Sequence, residues 1–350
     1  MLDPNMPALL LAPMDGVTDP PMRAVQGEAG AFSFAVSEFI RVTDHPVPVK
    51  VFHRDVPELL TGGRTPSGLP VQVQILGGNA EALAHSALNA CLAGARAVDL
   101  NFGCPAPTVN RHDGGASLLR CPPRIREIVS AVRQAVPSEI PVSAKIRLGW
   151  ESIDEVHENA AMAAQGGADW LTIHARTKMQ KYAPPVFWRK VGEVREALSI
   201  PVVANGDIWS LDDFRRCREE TGCQHFMLGR GALARPGLAR AIARELGLPV
   251  GTEVRQDWRH LIGRLAYYAR QQSAPYNKKT LHRLKQWLSF AHKFGGFDHF
   301  EGAKHCHKEA DLLAFLEALG NPQITTLPGE GSSEEEFVRA ADVAMAPASS

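Results

Sequence analysis

The chain has 350 residues, more than one domain of ordinary size needs, so a large domain with a smaller one beside it is expected. Lysine plus arginine and aspartate plus glutamate number 38 each, so net charge singles out neither a polyanion nor a membrane surface as partner. Six cysteines without CxxC pairs argue against a disulfide-stapled secreted module and favour a reducing cytoplasm. The N-terminal apolar run is too short for a signal peptide or a membrane span, so we expect a cytoplasmic protein with no membrane partner.

Short apolar, β-branched runs bounded by Gly, Pro or Asp recur with room for one helix between each pair. The eight predicted strands are ALLLAPM at 8–14, FAVSEF at 34–39, VQVQIL at 71–76, AVDLN at 97–101, PVSAKIRL at 141–148, WLTIHAR at 170–176, PVVANG at 201–206 and HFMLGRG at 225–231. Strands that alternate with helices pair in parallel, and eight such units match an α/β (β/α)8 TIM barrel. An open doubly wound sheet is the alternative, but APMDGVTD lacks the GxGxxG turn it would need.

The strand pattern stops near residue 250, and the following segments have helical spacing of apolar residues. These segments are RQDWRHLIGRLAYYARQQ, NKKTLHRLKQWLSFAHKF and a stretch around 304–320. We therefore predict a barrel domain at 1–250, a small all-α domain at 251–322, and a disordered tail at 323–350, which is rich in small and acidic residues.

Polar or sulfur-bearing residues occur at nearly every predicted strand end, where the active site of such a barrel lies. They are Met14, Asp15, Glu38, Gln72, Gln74, Asn101, Lys145, Arg147, His174, Arg176, Asn205 and Arg230. Any one of them could bond within the core or reach solvent, but so many at one rim would be a costly way to fill a core. Gly206, Gly229 and Gly231 follow the last two strands, where such barrels bind phosphate, although tight turns alone would also explain them.

Two residues of this rim carry distinctive chemistry. Lys145 could form a Schiff base, contact a phosphate or stabilise a negatively charged ring, and its position does not choose among these. Cys104 lies between Gly103 and Pro105 in the loop above the fourth strand, where its side chain could lean over a ligand. It could act as a nucleophile or as a proton donor, and no histidine adjoins it in sequence to support the nucleophile.

Several motifs occur in order along the chain: LLAPMDGVTDPPMR, SEF, VQILG, VDLNFGCPAPTV with GGASLL, PVSAKIRLGW, IHARTK, PVVANGDI and MLGRGAL. Together they resemble the tRNA-dihydrouridine synthases, from about residue 8 to about residue 300. EFIRV, PVKVFHRDVPEL and LHRLKQWLSF are most similar to the bacterial branch that modifies position 16 of the tRNA D-loop. The resemblance implies a TIM barrel holding FMN, a helical domain that helps bind tRNA, and NADPH-driven reduction of the uridine C5=C6 bond.

The same resemblance implies roles for individual residues. Cys104 would give a proton to C5 while reduced flavin delivers hydride to C6, and a thiol with an ordinary pKa of about 8.5 keeps its proton at neutral pH. Lys145 and Gln72 would hold the flavin ring, with Lys145 stabilising its anionic reduced form. The other implied cofactor contacts are Pro13, Met14, Asn101, His174, Asn205, Gly206, Asp207, Gly229 and Arg230.

Contacts with the uridine or the tRNA are expected from Glu38, Arg41, Arg147 and Arg176 and from the helical domain. Residues 274–297 of that domain have no acidic residue and include Lys278, Lys279, Arg283 and Lys285. Such a local basic patch suits phosphates, although an ordinary solvated helix face is the alternative, and we prefer core positions for Trp287 and Phe290. Thr108 stands where many members of the family have a lysine, so an RNA contact from that lysine is not expected.

Other functions are less well supported by the sequence. A flavin barrel acting on free pyrimidines would not need the basic helical domain, a Schiff-base aldolase would leave Cys104 unexplained, and a binding-only RNA chaperone is disfavoured because no residue of the apparent site is missing. The spacing of His299, His305, Cys306 and His307 fits no common zinc pattern, so we expect no metal. We expect a monomer that takes up a uridine flipped out of the tRNA fold.

Overall fold

A closed parallel barrel forms the larger part of the computed structural model, which describes residues 1–251, 257–272 and 280–320. Each strand pairs with its neighbours along the chain, and the last strand pairs with the first. The strands are β1 (Ala8–Leu11), β2 (Phe34–Arg41), β3 (Val71–Leu76), β4 (Val98–Phe102), β5 (Val142–Arg147), β6 (Trp170–His174), β7 (Val202–Asn205) and β8 (His225–Leu228). The predicted TIM barrel and all eight predicted strands are confirmed, and the open sheet is wrong.

Helices surround the barrel and follow it. Those up to residue 251 are α1 (Pro20–Glu28), α2 (Val49–Asp55), α3 (Ala80–Leu92), α4 (Pro107–Asn110), α5 (Pro122–Ala135), α6 (Val156–Gln165), α7 (Trp188–Ala197), α8 (Leu211–Thr221), α9 (Arg230–Ala234) and α10 (Leu238–Glu245). Short 3-10 helices occur at Pro57–Thr61 and Gly115–Arg120. The helical domain that follows contains α11 (Trp258–Gln271), α12 (Thr280–Lys293), α13 (Phe300–Lys304) and α14 (Glu309–Ala318).

The division of the chain into domains at 1–250 and 251–322 stays a prediction. The described residues after the barrel are helical, and the predicted tail at 323–350 lies outside the described residues. Among the residues that the structure describes, no helix is both long and apolar enough to cross a lipid bilayer.

The outer helices form and pack for local reasons that α5 illustrates. Prolines occupy its first positions, where a missing N–H costs nothing and the fixed φ suits a helix. Its apolar residues at Ile125, Ile128, Val129 and Val132 follow helical spacing, and all four are buried against the barrel. α8 likewise buries Phe214 in the same core.

The helical domain is attached to the barrel through a second hydrophobic core. This core joins Met14 and Met22, from the region after β1, to Trp258 and Trp287 of α11 and α12. The indole Nε1 of Trp287 also donates a hydrogen bond of 3.0 Å to the carbonyl of Leu233 after β8. The core position predicted for Trp287 is therefore correct, and this packing places α12 beside the C-terminal ends of the strands.

Candidate active site

The carboxyl ends of the strands open into a cavity of about 1180 Å³, counting its open mouth. Most of the residues predicted for the site line it, and they follow six of the eight strands. These are Pro13, Met14, Asn101, Cys104, Lys145, Arg147, His174, Asn205, Gly206, Asp207, Gly229 and Arg230. The convergence expected from the strand-end pattern is thus present in the fold.

The loop that carries Cys104 is held by Asn101, the last residue but one of β4. The side-chain Oδ1 of Asn101 accepts hydrogen bonds of 2.9 Å from the backbone N–H groups of both Gly103 and Cys104. From the next strand, Nε of Arg147 donates to the carbonyl of Gly103 at 2.8 Å. These three hydrogen bonds help to hold the backbone of the loop that presents the thiol.

Burial raises the pKa of the Cys104 thiol, because the thiolate would lose its hydration. This effect outweighs the lowering of the pKa by the backbone N–H of Ala106 and by the cations Arg147 and Lys145, and the carboxylate of Asp15 adds to the increase. At neutral pH the thiol keeps its proton, which suits an acid better than a nucleophile.

Lys145 brings a positive charge into the cavity wall. Its Nζ donates to Oδ1 of Asn205 at 3.2 Å, and Nδ2 of Asn205 donates to the carbonyl of Met227 at 2.8 Å, which fixes the amide orientation. Burial lowers the pKa of Lys145 to about 8, and the nearby charge of Arg147 acts in the same direction. An anionic group in the cavity would therefore stabilise the charged form of Lys145.

The ends of β6, β7 and β8 form the opposite side of the site. Asp207 pairs with Arg176 through one oxygen and with Arg230 through the other, the second at 2.9 Å. The guanidinium of Arg230 also lies over the rings of Tyr182, at 4.8 Å, and Trp209, at 5.1 Å. Arg230 is thereby held at the cavity wall by one carboxylate and by several aromatic faces.

Gly206 leaves space for a ligand, and His174 has a ring nitrogen that could form a hydrogen bond with one. Within the described residues, the buried Nε2 of His174 has no hydrogen-bond partner, and burial among cations holds the pKa of this imidazole well below its usual range. Gly206 has φ of +118°, and a Cβ there would come within 3.3 Å of the His174 ring. A neutral imidazole with an unmet bond faces a backbone that only glycine adopts comfortably.

Comparison with known proteins identifies the family. The model of the dihydrouridine synthase (Dus) family matches residues 10–321. The chain belongs to the dihydrouridine synthase family. Among its relatives, a tRNA-dihydrouridine(16) synthase of Shewanella oneidensis is 46% identical over 285 residues, covering 81% of this chain and 89% of that protein. One from Haemophilus influenzae, with the same name, is 42% identical over 309 residues, covering 87% and 97%.

The solved structures add evidence on the fold alone. A 2-naphthoyl-CoA reductase in complex with 2-naphthoyl-CoA superposes with a TM-score of 0.53 at 12% sequence identity, over 69% of this chain and 50% of that one. The resemblance to tRNA-dihydrouridine synthases that the sequence motifs indicated is confirmed by the family match, and the relatives above carry the name of the position-16 branch.

Two residues predicted for this family site lie elsewhere. Gln72 is fully buried below the cavity, where its Nε2 donates to Oγ of Ser143 at 2.9 Å, while Gln74 takes the lining position. Arg176 is also buried, and its Nε donates to the carbonyl of Ala183 at 2.6 Å. Because its charge is paired with Asp207 inside the protein, the structure gives no support to an RNA contact by Arg176.

Arg147 lines the cavity, and its Nε and Nη1 groups donate to backbone carbonyls of the protein. Besides Gly103, it donates through Nη1 to the carbonyls of Thr177, at 3.1 Å, and Lys181, at 2.7 Å. Arg147 thus links two loops of the site, and its predicted contact with the uridine or nearby RNA phosphates stays a prediction.

The residues predicted to contact tRNA are dispersed. Glu38 is half-buried beneath the cavity and accepts a 3.0 Å bond from the backbone N–H of Val17. Burial, helped by Asp19 and Asp15, raises the pKa of Glu38 to about 7. Arg41 is exposed and lines a separate polar groove of the described surface. Glu38 is thus bonded to the loop after β1 and only partly accessible, whereas Arg41 is exposed and available to a partner.

The residues of the predicted basic patch in the helical domain have different surroundings. Arg283 forms an ion pair with the buried Asp19, so its charge is neutralised between the two domains. Lys285 is partly exposed, and its Nζ donates to the carbonyl of Lys304 at 2.6 Å. Lys278 and Lys279 lie outside the described residues. In the parts of the chain that are described, no three His, Cys, Asp or Glu side chains cluster closely enough to hold a metal ion.

Aromatic residues that the strand-end pattern did not predict complete the cavity. Tyr182 and Trp209 come from loops, and Phe290 and Phe294 come from α12 and its end. Trp209 and Phe294 stack with ring centroids 4.9 Å apart and planes 25° from parallel. Helical spacing correctly placed Phe290 in a core, but the sequence carried no signal that this core also forms a wall of the site.

Proposed function

We propose that this protein reduces the C5=C6 bond of the uridine at position 16 of the tRNA D-loop to give dihydrouridine. The observation that carries the proposal is the protonated Cys104 thiol in one cavity with the cation of Lys145, in a chain of the dihydrouridine synthase family. Relatives 42–46% identical are named tRNA-dihydrouridine(16) synthases, which supports position 16. A tRNA substrate in turn implies a cytoplasmic protein, and a monomer stays our prediction.

We further propose FMN as the bound cofactor and NADPH as the reductant. The residues fit an anionic flavin, because the buried Nε2 of His174 lacks a partner in the described structure, Gly206 leaves space beside it, and Lys145 and Arg230 are cationic. Gln74 replaces Gln72 in the proposed set because it lines the cavity. The set is Pro13, Met14, Gln74, Asn101, Lys145, His174, Asn205, Gly206, Asp207, Gly229 and Arg230.

The protein's own groups account for the remaining steps. When bound and reduced, FMN would supply the hydride that adds to C6 of the uracil ring. Cys104 would then transfer its proton to C5, and its raised pKa keeps that proton available at pH 7. Lys145 would stabilise negative charge in the cavity, and Asp207 would hold Arg230 in place.

The uridine must leave the tRNA fold to reach a cavity at the barrel mouth, so we propose that it is flipped out. The walls formed by Trp209, Phe290 and Phe294 offer flat apolar faces to a base. Outside the cavity, Arg41 is exposed and Lys285 is partly exposed, so both of these predicted tRNA contacts are accessible.

The test is to purify the protein, record its visible spectrum, and incubate it with NADPH and unmodified bulk tRNA while mapping dihydrouridine by position. We expect a flavin spectrum and new dihydrouridine confined to position 16. A matched tRNA with cytidine at position 16 should remain unmodified. A colourless protein, or a flavoprotein active on free pyrimidines and inert on tRNA, would overturn the proposal, and dihydrouridine at position 17 or 20 would overturn the positional part.

A further inference from the structure

A chain of side-chain hydrogen bonds connects the interior of the barrel to the loop of Cys104. It begins at the carboxylate of Asp99, whose Oδ2 accepts from Nε2 of Gln74 at 2.7 Å. Oε1 of Gln74 accepts from Nδ2 of Asn101 at 2.8 Å. Oδ1 of Asn101 then accepts from the backbone N–H groups of Gly103 and Cys104, each at 2.9 Å. Three side chains thus lie between the core and the thiol-bearing loop.

The polarity of this chain is set at its buried end. Both carboxylate oxygens of Asp99 accept hydrogen bonds, so Gln74 turns its NH2 group toward Asp99 and its oxygen toward Asn101. Asn101 must then present its own NH2 to Gln74, which leaves its oxygen for the loop. Either amide by itself could be reversed at little steric cost, since its oxygen and nitrogen ends have nearly the same shape. Asp99 therefore decides which end of Asn101 meets the backbone of Cys104.

The other carboxylate oxygen of Asp99 also accepts a hydrogen bond. Oγ of Ser143 donates to Oδ1 of Asp99, and the same Oγ accepts from Nε2 of Gln72 at 2.9 Å. Asp99 is 2% exposed, so its carboxylate has no water to replace these donors. Both oxygens accept, which keeps the carboxylate an acceptor toward Gln74.

We propose that Asp99 is a positioning residue that, through Gln74 and Asn101, orients the loop carrying Cys104. The inference rests on the proposed function only for what the positioning serves, namely proton delivery by Cys104. The loop order itself is a property of the protein alone and can be measured without cofactor or tRNA.

The first test is site-resolved alkylation of Cys104 by iodoacetamide at pH 7 in folded protein. Cys104 is the only cysteine of the tryptic peptide 97–111, so mass spectrometry isolates it. Asp99→Leu removes the acceptor, and we expect alkylation roughly five- to tenfold faster, because a loosened loop exposes the thiol and restores a more ordinary reactivity. Asp99→Asn can still accept from Gln74 and should stay within about twofold of wild type.

Val98→Ala is the matched control, because it removes buried volume one residue away on β4 without touching the chain of hydrogen bonds. We expect its Cys104 alkylation to stay within about twofold of wild type although it lowers Tm. If Asp99→Leu and Val98→Ala expose Cys104 alike at equal Tm, or if Asp99→Leu alkylates as slowly as wild type, the role of Asp99 is merely structural and the proposal fails.

The second test reverses the polarity and does not depend on Asp99→Leu folding. Asn101→Asp puts a carboxylate at each end of Gln74, so Oε1 of Gln74 must face another acceptor and Tm should fall. Adding Asp99→Asn lets Gln74 turn over: both of its hydrogen bonds are made in the opposite direction, and the bonds from Ser143 and from the loop N–H groups are kept. The double variant should therefore recover most of the lost Tm. Strictly additive effects of the two substitutions would overturn the proposal.

These outcomes are distinct from failure of the proposed function. A protein that makes no dihydrouridine but shows the expected alkylation and rescue would keep Asp99 as the positioning residue of the Cys104 loop. An active synthase whose variants show neither effect would retain the function and lose this inference.

Discussion

At the scale of single residues, burial acts on Cys104 and Lys145 by the same physical route. It penalises the charged form of each, so the pKa of the thiol rises and the pKa of the ammonium falls to about 8. At pH 7 the thiol is consequently protonated and the lysine is still charged. One cavity thus contains both a proton donor and a cation.

Replacing Cys104 by alanine tests the proton donor. We expect FMN and tRNA binding to persist and turnover to fall by roughly two to four orders of magnitude, the usual contribution of a general acid. Single-turnover reduction of tRNA with pre-reduced protein measures this directly. Cys121→Ala is the control, because Cys121 is exposed at the start of α5 and should leave turnover unchanged. Wild-type turnover in Cys104→Ala would remove this thiol from the mechanism.

Replacing Lys145 by methionine tests the buried charge in cofactor-free protein. The folded pKa of about 8 lies below the ordinary 10.5, so between these values the unfolded chain binds more protons and stability rises with pH. At pH 7 both states are protonated and the wild type bears the full cost of the buried ammonium. We therefore expect Lys145→Met to be the more stable protein at pH 7.

That advantage should shrink as pH rises from about 8 to 10.5, because the folded wild type then loses its buried charge. Urea unfolding of both proteins across this range gives the difference, and other titrating groups cancel in it. A stability difference that does not change with pH would show that Lys145 is not buried as a cation.

At the scale of elements, the site depends on loops that are tied together. Arg147 at the end of β5 donates to the carbonyl of Gly103 after β4 and to those of Thr177 and Lys181 after β6. It is 2% exposed, so its methylene stem packs in the core while its head joins the two loops. The β5 strand thereby sets the distance between the loop of Cys104 and the loop that carries Tyr182.

Arg147→Met keeps the stem and removes the donors. We expect a loss of roughly 2–4 kcal/mol in the free energy of unfolding, because three carbonyls lose charged donors. Arg41→Met, at the exposed end of β2, is the matched control and should change stability by no more than about 0.5 kcal/mol. Urea unfolding decides the point, and equal effects of the two substitutions would contradict the linking role of Arg147.

At the scale of the whole molecule, the helical domain supplies part of the cavity wall, with Phe290 and Phe294. The ion pair of Arg283 with Asp19 and the bond from Trp287 to the carbonyl of Leu233 attach α12 to the barrel. Asp19 also caps α1 by accepting from the backbone N–H of Met22 at 3.2 Å. The domain interface therefore determines where Phe294 stands in the cavity wall.

Arg283→Met tests this interface by leaving the buried carboxylate of Asp19 without its partner. We expect a loss of roughly 3–5 kcal/mol in the free energy of unfolding, the usual cost of breaking a buried pair from one side. Asp19→Asn combined with Arg283→Met should recover much of this loss, since asparagine still caps α1 and carries no charge. If Arg283→Met is as stable as wild type, the ion pair contributes nothing to the attachment of the helical domain.

Much of the cavity could be predicted from sequence because its residues follow strands with an unmistakable pattern. Lys145, Asn205 and Arg230 stand at strand ends, and a parallel barrel brings all such ends to one rim. Gln72 and Gln74 show the limit of that reasoning, because residues two apart share a face while their depth depends on strand tilt and stagger.

The sequence also does not reveal which acidic residue each arginine pairs with in the folded protein. Arg176 and Arg283 were predicted to contact RNA, but their counter-ions Asp207 and Asp19 come from segments distant in sequence and meet them only in the folded chain. Phe290 and Phe294 became cavity walls for a similar reason, since helical spacing says which face is buried and not what it is buried against.

The sequence by itself determined the strand order, the barrel, the family and most of the rim, since these follow from local periodicity and from motifs that are contiguous in the chain. Only the tertiary structure decided which glutamine lines the cavity, which arginines are already paired, and that Asp99 is joined to the loop of Cys104. Those outcomes depend on register, depth and domain packing, which arise between distant segments and leave no local pattern.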